Sequence, residues 1–94
     1  MYYLTKICKI QDVLVIVLTE SSFLIDKEFY IKSFEFYEED GLDIIILKTL
    51  KDESIFLVKN NKPLKPIMYK NKAFDVLYLK EDSFNETYEK LKQF

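Results

Sequence analysis

The alternation of apolar and polar positions divides the chain into short extended runs and one closing helix. Tyr2 to Ile10 follows period two, with Tyr2, Leu4, Cys8 and Ile10 on one face and Lys6 interrupting it. After polar Gln11-Asp12, the run Val13 to Glu20 is apolar on both faces, as in a strand covered on two sides. These two runs predict an antiparallel hairpin. Leu42 to Leu50, built on Ile44-Ile45-Ile46-Leu47, is another well-covered strand. Beyond the turn at Lys51-Asp52-Glu53, Ser54 to Val58 pairs back. Lys59 to Pro66 holds both prolines, which lack a backbone donor, and reads as a loop. Ile67 to Tyr69 reads as a short strand and Ala73 to Lys80 as a longer one.

Phe23 to Asp40 fits two templates. As a strand it places Phe29, Ile31 and Tyr37 on one face and Tyr30, Phe34 and Phe36 on the other. As a helix it would start at Asp26 and close at Gly41. Aromatic and β-branched content favours the strand, and so does Asp40-Gly41, a turn signal leading straight into the next run. The last element is a helix. Ser83-Phe84-Asn85-Glu86 has the spacing of a capping box, and Phe84, Tyr88, Leu91 and Phe94 recur at helical intervals. The expected class is α+β, mainly antiparallel β: a single domain over residues 1–94, with a small curved sheet or partial barrel packed by one C-terminal helix.

Composition changes the functional picture by what is missing. The chain has no His, no Trp and no Arg, one Gly and one Cys. Without His there is no imidazole base, and His-dependent nucleophile arrangements are closed to a single chain. A closed zinc site wants four nitrogen or sulfur ligands, and glycine-rich phosphate loops need several glycines. A lone Cys8 forms no intrachain disulfide and reads as a small buried hydrophobe. The longest apolar run, Val13 to Leu18, is far short of the roughly twenty residues of a spanning helix. It is also short of a signal-peptide core, so the expected location is cytoplasmic.

Charge is unevenly spread. Six of the fourteen lysines lie between Lys59 and Lys80, with Asp75 as the one acid there. Lys59, Lys62, Lys65, Tyr69, Lys70 and Lys72 therefore form a candidate partner-binding stretch, in which lysines meet phosphates or carboxylates and the tyrosine stacks. The competing reading is a solvated loop that protects a sheet edge. A second candidate is the acidic patch Glu35, Glu38, Glu39, Asp40 and Asp43. It could hold a hard cation or face a basic partner, or simply be a solvated hairpin tip. Fifteen Phe and Tyr are generous for this length, and Tyr2, Tyr3, Tyr30, Tyr37, Tyr69 and Tyr88 are the ones expected in part at the surface.

The functional expectation is a non-enzymatic module, needing no cofactor, that occludes or scaffolds a partner macromolecule. That partner is expected to be a protein, with no membrane involved, and a homodimer is compatible with the sequence. A phage- or plasmid-encoded inhibitor such as an anti-CRISPR exemplifies the class. The alternative is a single-stranded nucleic-acid-binding module that uses the lysine-rich stretch 59–72.

Overall fold

The computed structural model describes residues 1–39, 41–60 and 75–94, with the side chain of Glu39 outside that description. The elements are β1 (Tyr2–Ile10), β2 (Val13–Glu20), β3 (Ile25–Glu39), β4 (Leu42–Thr49), β5 (Ser54–Lys59), β6 (Asp75–Leu79) and α1 (Glu81–Leu91). The sheet is mostly antiparallel and closes into a ring in the order β1-β2-β3-β4-β5-β6. The ring is uneven. β6 runs parallel to both neighbours, and its link to β1 is the single pair Tyr2↔Leu79. The expected class, mainly antiparallel β in a curved sheet packed by a C-terminal helix, is what the structure shows, with β6 as its parallel member. The expected loop Lys59 to Pro66, beyond Asn60, and the short strand Ile67 to Tyr69 lie outside the described residues.

Two β-bulges decide which side chains face inward. Thr5 is an extra residue between the pairs Leu4↔Leu18 and Lys6↔Val17, and Lys32 is another between Ile31↔Thr49 and Ser33↔Lys48. An extra residue reverses the side-chain alternation beyond it. In β1 the inward set therefore becomes Tyr2, Leu4 and Ile7, and Cys8 is half-buried on the other side. In β3, Phe29 and Ile31 are joined by Phe34, while Tyr37 turns to the opposite face. Strict alternation misassigned Cys8, Phe34 and Tyr37 for this one reason.

The bulge at Lys32 also divides β3 between two partners. Ile25 to Ile31 pair with β2, and Ile31 to Glu39 pair with β4. Gly41 closes the second hairpin at φ +76°, a backbone region that glycine enters without strain. Nothing lies within 4 Å of where its Cβ would stand. Gly41→Ala should therefore destabilise by about 1 kcal/mol through the backbone alone, read by urea melts.

Leu14, Ile16, Leu18, Ile45, Leu47 and Leu57 pack the ring interior together with Phe84 and Leu91 of α1. Ile44, Ile46, Phe56 and Val58 form a second cluster on the other face of β4 and β5. Apolar residues on both faces are what the continuous runs in these strands imply.

Helix α1 packs against β1 and β5. It starts at Glu81 with Lys80 at the N-cap and has no side-chain cap, so the expected capping box is not made. Ser83 is buried inside the first turn, and its Oγ accepts a hydrogen bond from the Leu4 N–H at 2.9 Å. The reason lies in the ring closure. The Tyr2 carbonyl accepts from the Lys80 N–H, and past that point no strand among the described residues pairs with this edge of β1. A side chain from the helix satisfies the next donor where a strand would otherwise do so. Glu86 meanwhile reaches forward to Lys90 at 2.8 Å, one helical turn along.

Candidate functional site

The turn between β2 and β3 exposes three consecutive apolar side chains. Phe23 is 78% exposed, Leu24 70% and Ile25 59%. A mobile loop tip would be the ordinary explanation, but this turn is tied down. The Leu24 N–H donates to the Glu20 carbonyl at 2.9 Å, and Glu20 Oε2 accepts from the N–H groups of Ser22 and Phe23, both at 2.8 Å. The other Glu20 oxygen meets the N-terminal ammonium at 3.3 Å, and the Ser21 N–H donates to the Met1 carbonyl.

Leu24 sits at φ +56°. A β-branch-free but bulky side chain in this region is held against a penalty of about 1–2 kcal/mol. Leu24 is among the exposed hydrophobics and belongs to neither buried cluster. The turn is therefore ordered by its backbone and by Glu20, and the apolar side chains are left over for contact.

Glu20 has its carboxyl held below the ordinary value of 4.5, chiefly by the Phe23 N–H; desolvation opposes this, and the N-terminal ammonium and the Ser22 N–H add to the lowering. A lowered folded-state value means that the stabilisation is full above the unfolded value and is lost as pH falls through the lowered one. Stability should accordingly drop on acidification below about pH 4.5. Glu20→Gln should make that drop shallower in thermal melts between about pH 3 and 6.

Beyond the turn, a line of polar groups crosses the outer side of the first three strands. Thr19 Oγ1 donates to Asp26 Oδ1 at 2.7 Å, so its oxygen accepts from the hydroxyl of Thr5, 2.5 Å away. Thr19 is buried, and the chain leaves neither hydroxyl orphaned. Further along β3, the Tyr30 hydroxyl donates to Glu28 Oε2 at 3.1 Å. A groove of about 420 Å³ runs between Glu28, Tyr30 and the β4–β5 turn, with Leu50, Lys51 and Glu53 on its far wall. A second cleft of about 300 Å³ lies by Asp12, Lys32 and Phe94.

The residues expected from charge fall elsewhere. Lys59, at the end of β5, is half-buried with Nζ 5.4 Å from the centre of the Phe84 ring. Lys62, Lys65, Tyr69, Lys70 and Lys72 lie outside the described residues, as does Asp40. Within the acidic patch Glu38 pairs directly with Asp43 across the β3–β4 ladder, while Glu35 alternates to the other face with Tyr37. The hairpin thus presents these acids in two directions, and no group of three or more His, Cys, Asp or Glu able to hold a metal occurs among the described residues.

Among the tyrosines named for exposure, Tyr30 is open to solvent, whereas Tyr2, Tyr3, Tyr37 and Tyr88 are half-buried. Lysines lie over several of these rings, among them Lys80 on Tyr3 and Lys92 on Tyr88. Sequence reasoning passed over Phe23-Leu24-Ile25 because an apolar triplet between two strands reads as more strand. The available signal was Ser21-Ser22 just before it, a pair of turn formers.

No helix among the described residues is long and apolar enough to cross a membrane. Comparison of the chain with known protein families, with curated proteins and with solved structures found no match.

Proposed function

We propose that the chain is a non-enzymatic binding module that occludes or scaffolds a partner protein, with Phe23, Leu24 and Ile25 at the centre of the contact. What supports this reading is Leu24: a large apolar side chain kept exposed, in an ordered turn, at a backbone angle that glycine or asparagine would occupy more cheaply. Backbone strain of this kind is concentrated at functional sites, and here it coincides with an exposed apolar side chain. Aromatic side chains are enriched at the cores of protein contacts, a place Phe23 can take with Leu24 and Ile25 beside it. Inhibition by occlusion, as by a phage- or plasmid-borne inhibitor, is the simplest use of such a surface.

Affinity capture from the source cell, run with and without nuclease, tests the proposal. A stoichiometric protein should be retained after nuclease and lost, by at least about tenfold in affinity, with the double variant Phe23→Ser and Leu24→Asn. The same variant should match or exceed the parent in thermal stability, because Asn tolerates the left-handed region. Capture that vanishes with nuclease would point instead to single-stranded nucleic acid. Turnover of a substrate by the purified chain would overturn the non-enzymatic reading.

A further inference from the structure

We propose that the edge of β3 between Ile25 and Tyr30, unpaired among the described residues, takes up an extended basic peptide as an added strand. The inference deepens the binding-module reading and rests on it, but it uses the backbone edge beside the turn, so the two can fail separately. In a strand, successive residues direct their N–H and C=O groups to opposite sides. The Tyr30 carbonyl accepts from the Leu50 N–H, away from β2. Asp26 and Glu28, of the same parity, therefore also point their backbone groups away from β2. Pairing with β4 begins only at Ile31, so among the described residues no strand lies beside them. An edge of this kind is a template for another strand.

The side chains select what can pair there. Asp26 and Glu28 are exposed acids on the outer face, each fixed by one hydroxyl: Thr19 on Asp26 Oδ1 and Tyr30 on Glu28 Oε2. Their other oxygens have no hydrogen-bond partner among the described residues. Glu53 adds a third carboxylate on the groove wall, where Lys51 is the one ammonium among the described residues, while Lys27 alternates to the other face and pairs with Asp75 at 3.6 Å. A second copy of the chain is the wrong occupant. The antiparallel registers centred on this edge set Asp26 against itself, Asp26 against Glu28, or Glu28 against itself. Like charges directly opposite destabilise a pair. The same acids that keep copies apart complement lysines at alternate positions of a partner strand.

The probe is a blocked hexapeptide of alternating lysine and valine. A glutamate–valine hexapeptide tests the charge, and a lysine–valine peptide N-methylated at alternate residues tests the backbone pairing. Binding is followed by NMR titration and by amide exchange at Asp26 and Glu28. The lysine peptide should bind, weaken with salt, and slow exchange at those two amides by about tenfold or more. N-methylation should abolish binding to the unaltered protein, and Glu28→Lys should shift preference towards the glutamate peptide by about tenfold. Equal binding of both charge types, unchanged exchange, or binding of the N-methylated peptide would overturn the proposal. So would a concentration-dependent dimer that protects the same amides, which would assign the edge to a second copy. If the lysine peptide fails while Phe23→Ser and Leu24→Asn still release a captured protein, this inference falls and the binding-module reading stands.

Discussion

Replacing Phe84 with alanine is expected to lower the unfolding free energy by about 3–5 kcal/mol. Phe84 is 1% exposed and joins helix α1 to the ring interior. It lies where the sheet is weakest, since β1 and β6 share a single pair. Helix α1 packs on β1 and β5 beside this seam, and removing the phenyl ring opens a cavity in the interior cluster. Domains of this size have only about 5–15 kcal/mol in hand, so a loss of this order should lower the melting temperature by tens of degrees. Chemical and thermal denaturation followed by circular dichroism will measure it. Phe94, 49% exposed beyond the end of the helix, serves as the control, and its alanine variant should lose under about 1 kcal/mol. A Phe84→Ala loss no larger than that of Phe94→Ala would mean that the ring does not depend on the helix.

Ser83→Ala is expected to destabilise by about 1–3 kcal/mol, the penalty for leaving the Leu4 N–H without its acceptor in a part-buried site. Its partner in the apparent capping box provides the contrast. Glu86 pairs with Lys90 at the surface, and Glu86→Gln should change stability by less than about 0.5 kcal/mol. Had the four residues formed a capping box, the two substitutions would act through the same helix terminus and weaken it similarly. Urea melts of both variants separate the cases. Amide exchange adds a local check, because the Leu4 N–H should exchange faster in Ser83→Ala and stay unchanged in Glu86→Gln.

Much of the architecture was legible because it depends on local pattern. The runs around Val13–Leu18 and Ile44–Leu47 are apolar on both faces and became strands buried on both faces. Asp40-Gly41 resolved Phe23–Asp40 in favour of a strand, for a glycine at positive φ suits a hairpin and Leu42 continues directly into the next strand. The misreadings share another origin. Neither Thr5 nor Lys32 differs in type from an ordinary strand residue, yet each adds one position and so reverses the faces of Ile7, Cys8, Phe34 and Tyr37. Ser83 looked like a cap by spacing, but its hydroxyl was drawn to a donor 79 residues away. Lys59 looked like a free charge and lies against the Phe84 ring.

By itself, the order of residues determined which segments extend, where the chain reverses, that one helix ends it, and which catalytic groups it lacks. Those properties follow from side-chain chemistry and short-range periodicity. Only the three-dimensional arrangement decided that β6 runs parallel, that β3 leaves half of one edge unpaired among the described residues, and that an apolar turn stands exposed on an ordered backbone. Such features depend on how far-apart strands meet and on which backbone donors the closing ring leaves over, and neither is encoded in any local window of the chain.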